Sequence, residues 1–439
     1  MSRCYRIVVL GSGFGGFAAV RRLERLLPPS LAEITVVSPT DHLLYTPLLP
    51  EVAGGVLNPR DVAVPLAGAL RSPRVPGRAV AADLTRRTVD VDTADGRVRL
   101  PWDRLVVATG SVSRRLPIPG LAEHAIGFKT SVEAAHLRDR VLTQLELAAA
   151  AGDSRLRAEH ATFVVIGAGF AGTELTADLE RLSASLVRRN GRAFPPPRWV
   201  LVDAGPRVLP ELEPALGERA TRVLRDRGVE VRLSTTVREV GPRSVTLADG
   251  TVVPTRTVVW CAGVVPAPFA AGLGLPLDRG RLVVDPFLRV PGHRRVFALG
   301  DAAAVPDLTN PGTMTPPTAQ HAVRQGRAVA RNVAASLYVG HAAPYRHRDL
   351  GLAADLGGWH GVARVLGVPL HGVPARAAAR GYHLMALPGN RARVLTSWLL
   401  AARRGPQLLG LGLTPADDVV LGAAAEAGMT VGAGGTART

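Results

Sequence analysis

Two glycine-rich turns, each wedged between a β-branched run and a helix-forming stretch, constrain this chain more than any other feature. Gly11-Ser12-Gly13-Phe14-Gly15-Gly16 follows the apolar run Tyr5–Leu10, and Gly167-Ala168-Gly169-Phe170-Ala171-Gly172 follows Thr162–Ile166. One such turn is weak evidence, because glycine-rich turns are common. Two in this setting each predict a tight bend, a close backbone approach to a pyrophosphate, and a helix N-terminus aimed at its charge. A late Val296-Phe297-Ala298-Leu299-Gly300-Asp301 repeats the order of strand, glycine and acid. The expected class is α/β, with two Rossmann-like dinucleotide-binding domains. Two dinucleotides and a late Gly-Asp point to a flavin held near a nicotinamide, and so to electron transfer.

Periodicity orders the rest. Strands at 5–10, 34–37 and 104–108 and a helix at 15–27 make the first unit. A helical stretch over 131–151 leads to the second, with strands at 162–166, 199–203, 229–233 and 257–261. Residues 188–198, rich in arginine and proline, read as a surface excursion. A strand at 295–301 and a helix at 318–337 return to the first unit. The expected boundaries are 1–125 and 281–345 for an FAD-binding domain, with an NADH-binding domain, 126–280, inserted in it. A C-terminal segment follows at 346–420, then a disordered tail at 421–439.

The chain's 439 residues are enough for two or three domains. Net charge is +17, from 53 basic and 36 acidic residues, and Lys129 is the only lysine. That excess reads either as affinity for anionic lipid or nucleic acid, or as an arginine bias of codon usage. With no RRM, zinc-finger or basic-zipper pattern, nucleic acid is not an expected partner. The first strand begins at Tyr5, which leaves no room for a signal peptide, and no run of 18 apolar residues exists. Cys4 and Cys261 lie far apart and form no C-x-x-C, which fits a reducing compartment. A flavin disulfide reductase needs a cysteine pair soon after its first nucleotide turn, and residues 43–55 contain none. Cys261, in a buried-looking strand, reads as a small apolar filler. Electrons should therefore leave the flavin without a thiol relay.

Candidate site residues follow from the motifs. Gly11, Gly13 and Gly16, with Phe14 opening the helix, would cradle the FAD pyrophosphate. Ser38 stands where an acid usually binds the adenosine ribose, and a serine bonds a hydroxyl more weakly than a carboxylate does. Thr109 and Gly110 end a strand in a small-residue turn, as close passage of a cofactor requires. Gly300 and Asp301 would hold the ribityl hydroxyls, although an Asp after glycine can also merely cap a turn. Gly167, Gly169, Gly172, Asp203 and Gly263 would form the second site. An acid at Asp203 favours NADH over NADPH, while Arg207 argues the other way. The gap from glycines to acid exceeds the usual ~20 residues, which the excursion would explain. Glu174 would position the nicotinamide or relay protons, or else is an ordinary first-turn glutamate favoured by the helix dipole. The helix start Pro316-Pro317-Thr318-Ala319-Gln320 would face the negative charge of reduced flavin. Gln320 and Arg324, four apart, would share a face lining a pocket for a carbonyl-bearing acceptor.

These residues resemble the type II NADH dehydrogenases, the NADH:quinone oxidoreductases. The resemblance rests on Leu44-Tyr45-Thr46-Pro47-Leu48-Leu49-Pro50-Glu51-Val52-Ala53-Gly54-Gly55, on Phe128-Lys129-Thr130, on 203–210, and on the Ala319-Gln320 helix start. It implies a single-subunit, FAD-containing, peripheral membrane enzyme that oxidises NADH and reduces a quinone without pumping protons. The quinone would pass Thr46 and Pro47, with Gln320 on its side and Glu174 on the nicotinamide side. Many members carry Gln-Gln where this chain has Arg324-Gln325, which alters the polarity of the quinone mouth. The implied location is the cytoplasmic face of the cell membrane, and a homodimer is allowed. Residues 382–404 also fit the family, whose C-terminus lies on the bilayer, and include an interfacial helix with Asn390 as cap and Gly405 as stop. Val394, Leu395, Trp398, Leu399, Ala401 and Ala402 would form its apolar side, and Arg393, Thr396, Ser397, Arg403 and Arg404 the other. The competing reading is a surface helix packed onto the protein. Three alternatives share the motifs: a soluble NAD(P)H oxidase or ferredoxin-type reductase, a sulfide:quinone oxidoreductase (disfavoured without a cysteine pair), and a nucleotide-responsive flavin-binding regulator.

Overall fold

The structure is a computed structural model and describes residues 4–347, 350–415 and 419–421. The tail expected at 421–439 thus lies, beyond Leu421, outside the described residues. Strands β1 (Tyr5–Leu10) and β2 (Ala32–Ser38) run parallel, with Ile7 opposite Ile34. β1 is buried from Ile7 through Leu10, as a central parallel strand covered on both faces must be. β3 (Arg74–Asp83), β4 (Thr88–Thr93) and β5 (Gly96–Pro101) form an antiparallel meander beyond β2. β6 (Arg104–Val107) pairs on the other side of β1.

The chain then builds a second sheet from β7 (Ala125–Gly127), β8 (Thr162–Ile166), β9 (Arg198–Val202), β10 (Glu230–Arg232) and β11 (Thr257–Trp260). β12 (Val296–Ala298) returns to the first sheet, with Val296 opposite Leu105. The orders are β12-β6-β1-β2-β3-β4-β5 and β7-β11-β8-β9-β10. In both sheets the strand order reverses beside the strand that feeds a glycine turn, opening a crevice at its carboxyl end.

Helices α1 (Phe14–Leu26), α2 (Ser131–Ala150), α3 (Phe170–Asn190) and α4 (Ala319–Ala335) cover these sheets. α1 and α4 can pack closely because Gly326 lacks a Cβ, which would strike the Gly15 carbonyl. α2 starts on a capping box: Glu133 N–H donates to Thr130 Oγ1 at 3.1 Å and Thr130 N–H to Glu133 Oε2 at 2.7 Å. α3 corrects one expectation. Its 21 residues run through Asn190, so the long gap between Gly167 and Asp203 is mostly helix, and only residues 191–197 loop outward.

A C-terminal layer completes the fold. Its antiparallel strands β13 (Gly351–Asp355), β14 (Gly361–Val365) and β15 (Val368–His371) carry helices α5 (Val373–Ala386) and α6 (Arg391–Arg404). α6 docks through Trp398, whose Nε1–H donates to buried Glu51, and through Ser397 Oγ, 2.8 Å from Asp61 Oδ2. Two expectations for this helix change. Asn390 makes no side-chain cap: its φ is +57° and its amide donates instead to the carbonyls of Arg60 and Ala63. The apolar side is also divided. Val394 and Trp398 face the protein, whereas Leu395, Leu399 and Leu400 are 45 %, 59 % and 48 % exposed. Among the described residues no helix is long and apolar enough to cross a membrane.

Candidate active site

One cavity of about 1470 Å³ runs between the two crevices and is walled on its far side by the C-terminal layer. Single drug-sized ligands occupy roughly 300–1,000 Å³, so this space suits more than one ligand. Of the sequence candidates, Gly11, Gly13, Phe14, Ser38, Thr46, Pro47, Thr109, Gly110, Gly167, Gly169, Glu174, Asp203, Gly263, Gly300, Asp301, Ala319 and Gln320 line it. Gly16 and Gly172 lie behind that surface. A Cβ on either would collide with the carbonyl of Gly11 or Gly167, so they let each helix start against its own strand. Arg324 is outside the lining, and its guanidinium instead meets His347 Nδ1 at 3.1 Å. The residue beside it, Gln325, is also structural, accepting from Gly300 N–H and donating to Thr315 Oγ1.

The first turn fits a flavin dinucleotide on the chain's own geometry. Gly11 has φ +103°, and a Cβ there would strike the Ala108 carbonyl. Among the described residues Thr109 Oγ1 is buried without a hydrogen-bond partner, an orphan that a bound cofactor would satisfy. Ser38 Oγ is 2.7 Å from Ser12 Oγ, joining the β2 end to the turn. Asp301 accepts from Ser111 Oγ at 2.5 Å, and Lys129 Nζ donates to the same Ser111 oxygen at 2.6 Å. Burial lowers the Lys129 pKa, with Asp301 and Glu133 opposing that shift. The N-terminus of α4, capped by Thr318 Oγ1 on His321 N–H, opens onto the same space.

At the second turn Asp203 accepts Ala168 N–H and Gly205 N–H, each at 2.6 Å, so its carboxylate is fixed at the cavity edge. Arg207 points away, to the Pro210 carbonyl at 3.3 Å. One turn along α3, Glu174 accepts Asp355 N–H at 2.8 Å. Burial pushes its carboxyl well up, with the Asp355 bond opposing and the charges of Asp355, Asp178 and Glu51 reinforcing. Asp178, the next residue on that face, rises to about 8, first from burial and then from Glu51 and Asp355. Cys261 also lines the cavity, at the end of β11, but burial raises its thiol pKa and disfavours a nucleophilic thiolate. Cys4 is exposed elsewhere.

The cavity wall also contains residues to which the sequence motifs assigned no role. Tyr45 Oη lies 3.1 Å from His383 Nδ1, with Tyr382 edge-on to the same imidazole at 5.6 Å. Gln320 Nε2 donates to the Gly351 carbonyl at 3.0 Å, linking α4 to β13. Lys129 was legible in one respect: it is the single lysine in an arginine-rich chain. Tyr45 and His383 are 338 residues apart and carry no local spacing signal.

The family model for pyridine nucleotide-disulphide oxidoreductases matches residues 5–326. A type II NADH:quinone oxidoreductase of Mycobacterium tuberculosis is 32 % identical over 426 residues, covering 92 % of this chain and 90 % of that protein. A Staphylococcus aureus protein of the same name is 29 % identical, covering 84 % of this chain and 92 % of its own length. Among solved structures, Plasmodium falciparum NDH2 in complex with NADH superposes with a TM-score of 0.84 at 18 % identity, covering 93 % of this chain and all of that one. The chain belongs to the type II NADH:quinone oxidoreductases within the pyridine nucleotide-disulphide oxidoreductase family.

Proposed function

We propose that the protein oxidises NADH and reduces a quinone through bound FAD, with no sulfur between them. The observation that carries this reading is the continuity of the cavity: both glycine turns, Asp301, Glu174 and the Gln320 wall face one space. FAD fits Gly11, Gly13, Ser38, Thr109 and Asp301, and supplies the chemistry of taking up a hydride and giving out two electrons. Asp203 and the second turn hold the adenosine half of NADH, and the Asp203 carboxylate disfavours a 2′-phosphate. Glu174 borders the path from that turn toward Asp301. Gln320, Tyr45, Thr46 and Pro47 form the quinone side.

The reading extends to a peripheral seat on the cytoplasmic face of the membrane. Leu395, Leu399 and Leu400 on α6 are exposed, as are Met385, Leu409 and Leu411, and Met385 also lines the cavity. Arg393, Arg403 and Arg404 lie on the same helix as the three leucines, the pairing that favours an interface rich in anionic lipid. Anaerobic stopped-flow spectroscopy tests the core of the proposal. NADH should bleach the flavin band and a soluble quinone should restore it. Failure of either step refutes the reading, and oxygen or ferredoxin as the preferred acceptor would favour the soluble alternatives.

A further inference from the structure

We propose that His383 donates a hydrogen bond from Nε2 to a carbonyl oxygen of the quinone-class acceptor, and that Tyr45 fixes the imidazole in the tautomer this requires. The inference rests on the functional reading above and deepens it. Tyr45 is 3 % exposed, and its hydroxyl makes one hydrogen bond among the described residues, at 3.1 Å to His383 Nδ1. A buried phenol O–H left without an acceptor is costly, so Tyr45 donates and Nδ1 accepts. A neutral imidazole that accepts at Nδ1 carries its proton on Nε2.

The ring is held as well as polarised. Phe14 stands edge-on to Tyr45 at 5.6 Å, Tyr45 edge-on to His383 at 5.9 Å, and Tyr382 edge-on to His383 at 5.6 Å. All four line the same cavity as Gln320 and Glu174. Burial lowers the His383 pKa to about 4, which keeps the imidazole neutral at physiological pH. A neutral imidazole N–H is a hydrogen-bond donor that stabilises charge developing on a carbonyl oxygen without giving up its proton. The overall reaction, NADH plus quinone plus one proton giving NAD⁺ plus hydroquinone, balances without a proton from His383. Electrons and one hydrogen come from NADH, and the second proton comes from water. Gln320 commits one of its two amide N–H groups to the Gly351 carbonyl, so His383 would add a donor to the one that Gln320 keeps.

The test compares His383→Leu, His383→Gln and Tyr45→Phe in the FAD-loaded protein, with the flavin absorption band as the check on folding. Four readouts are taken: reduction of a short-chain quinone, reduction of ferricyanide, anaerobic bleaching by NADH, and equilibrium binding of the quinone to the oxidised protein. Ferricyanide has no carbonyl to bond. His383→Leu should lower kcat/KM for quinone by about 10²-fold and weaken quinone binding, with ferricyanide turnover and bleaching unchanged. His383→Gln, whose amide N–H can stand near the Nε2 position, should recover most of the loss, and Tyr45→Phe should lose less than His383→Leu. Should His383→Leu lose its flavin, His383→Asn replaces it, with the same loss expected because its amide cannot reach as far. Equal quinone turnover in parent and variant overturns the proposal alone, as does a loss shared equally by ferricyanide and bleaching. A parent protein that bleaches with NADH yet ignores quinone overturns the functional reading, and this proposal with it.

Discussion

Replacing Leu395, Leu399 and Leu400 together by glutamine should detach the protein from neutral lipid vesicles while leaving its chemistry intact. These side chains are 45 %, 59 % and 48 % exposed, so about half of each is available to an apolar phase. Full burial of a leucine is worth roughly 1.5–3 kcal/mol, which gives about 1 kcal/mol for each half-buried residue and about 3 kcal/mol for the three. At about 1.4 kcal/mol per tenfold, the partition coefficient should fall by about 10²-fold. Glutamine is a good helix former, so α6 should persist. Val394 and Trp398, which hold the helix to the protein, are untouched. On anionic vesicles Arg393, Arg403 and Arg404 add about 1 kcal/mol each, a part that added salt removes and the triple substitution does not. Vesicle flotation of parent and variant at low and high salt reads both terms, with reduction of a water-soluble quinone as the control. A variant that floats with neutral vesicles as well as the parent would show that these leucines are not the contact.

Asp203→Asn should raise the KM for NADH by about 10- to 10²-fold, the worth of hydrogen bonds to a charged acceptor, and narrow the preference over NADPH. An unchanged ratio of kcat/KM for the two nucleotides would remove Asp203 from cofactor choice. Gly11→Ala should yield colourless protein, since φ is +103° and the new Cβ strikes the Ala108 carbonyl; a full complement of FAD would contradict the assignment of this turn. Asp178 has a carboxyl raised to about 8 by burial, so the folded state retains a proton that the unfolded chain releases near its ordinary value of 3.8. The stability it confers is full below that lower value and is lost as pH rises toward 8. Asp178→Asn should therefore gain in Tm over the parent as pH rises from about 5 to about 9, and a constant difference across that range would refute the shift.

Much of the fold is legible because its strands are continuous apolar runs that end in glycine. β1 and β8 fall where expected, β12 ends three residues earlier than expected, and the return of the chain to its first sheet followed from Gly300-Asp301. The C-terminal sheet was not legible. β13 to β15 are four or five residues long and irregularly buried, so neither alternation nor a continuous apolar run marks them. In the site, motif glycines were readable because backbone geometry demands them. Arg324 was misleading for a physical reason. Four residues after Gln320 it shares a helix face, but β13 covers only the end of that face, and the guanidinium turns to His347. Tyr45 and His383 become neighbours only through the C-terminal layer, which no local pattern announces.

That layer is attached in an energetically expensive way. Trp398 of α6 donates to Glu51, and Arg380 of α5 reaches Glu51 Oε1 at 3.2 Å and Asp355 Oδ2 at 3.2 Å. Asp355 in turn offers its backbone N–H to Glu174. Burial raises the carboxyl of Glu51, with Arg380 opposing, so the guanidinium offsets part of a desolvation cost that apolar packing would avoid. Arg380 also lies 4.6 Å from the Trp398 ring, so the cation and the indole share the same carboxylate. The result is one unbroken chain of polar contacts from the surface helix to the cavity wall. Glu174 on the cavity wall and the surface helix α6 are therefore positioned by the same buried groups. Any substitution at Glu51 must be felt at both ends, because removing one partner leaves the other charges buried without compensation.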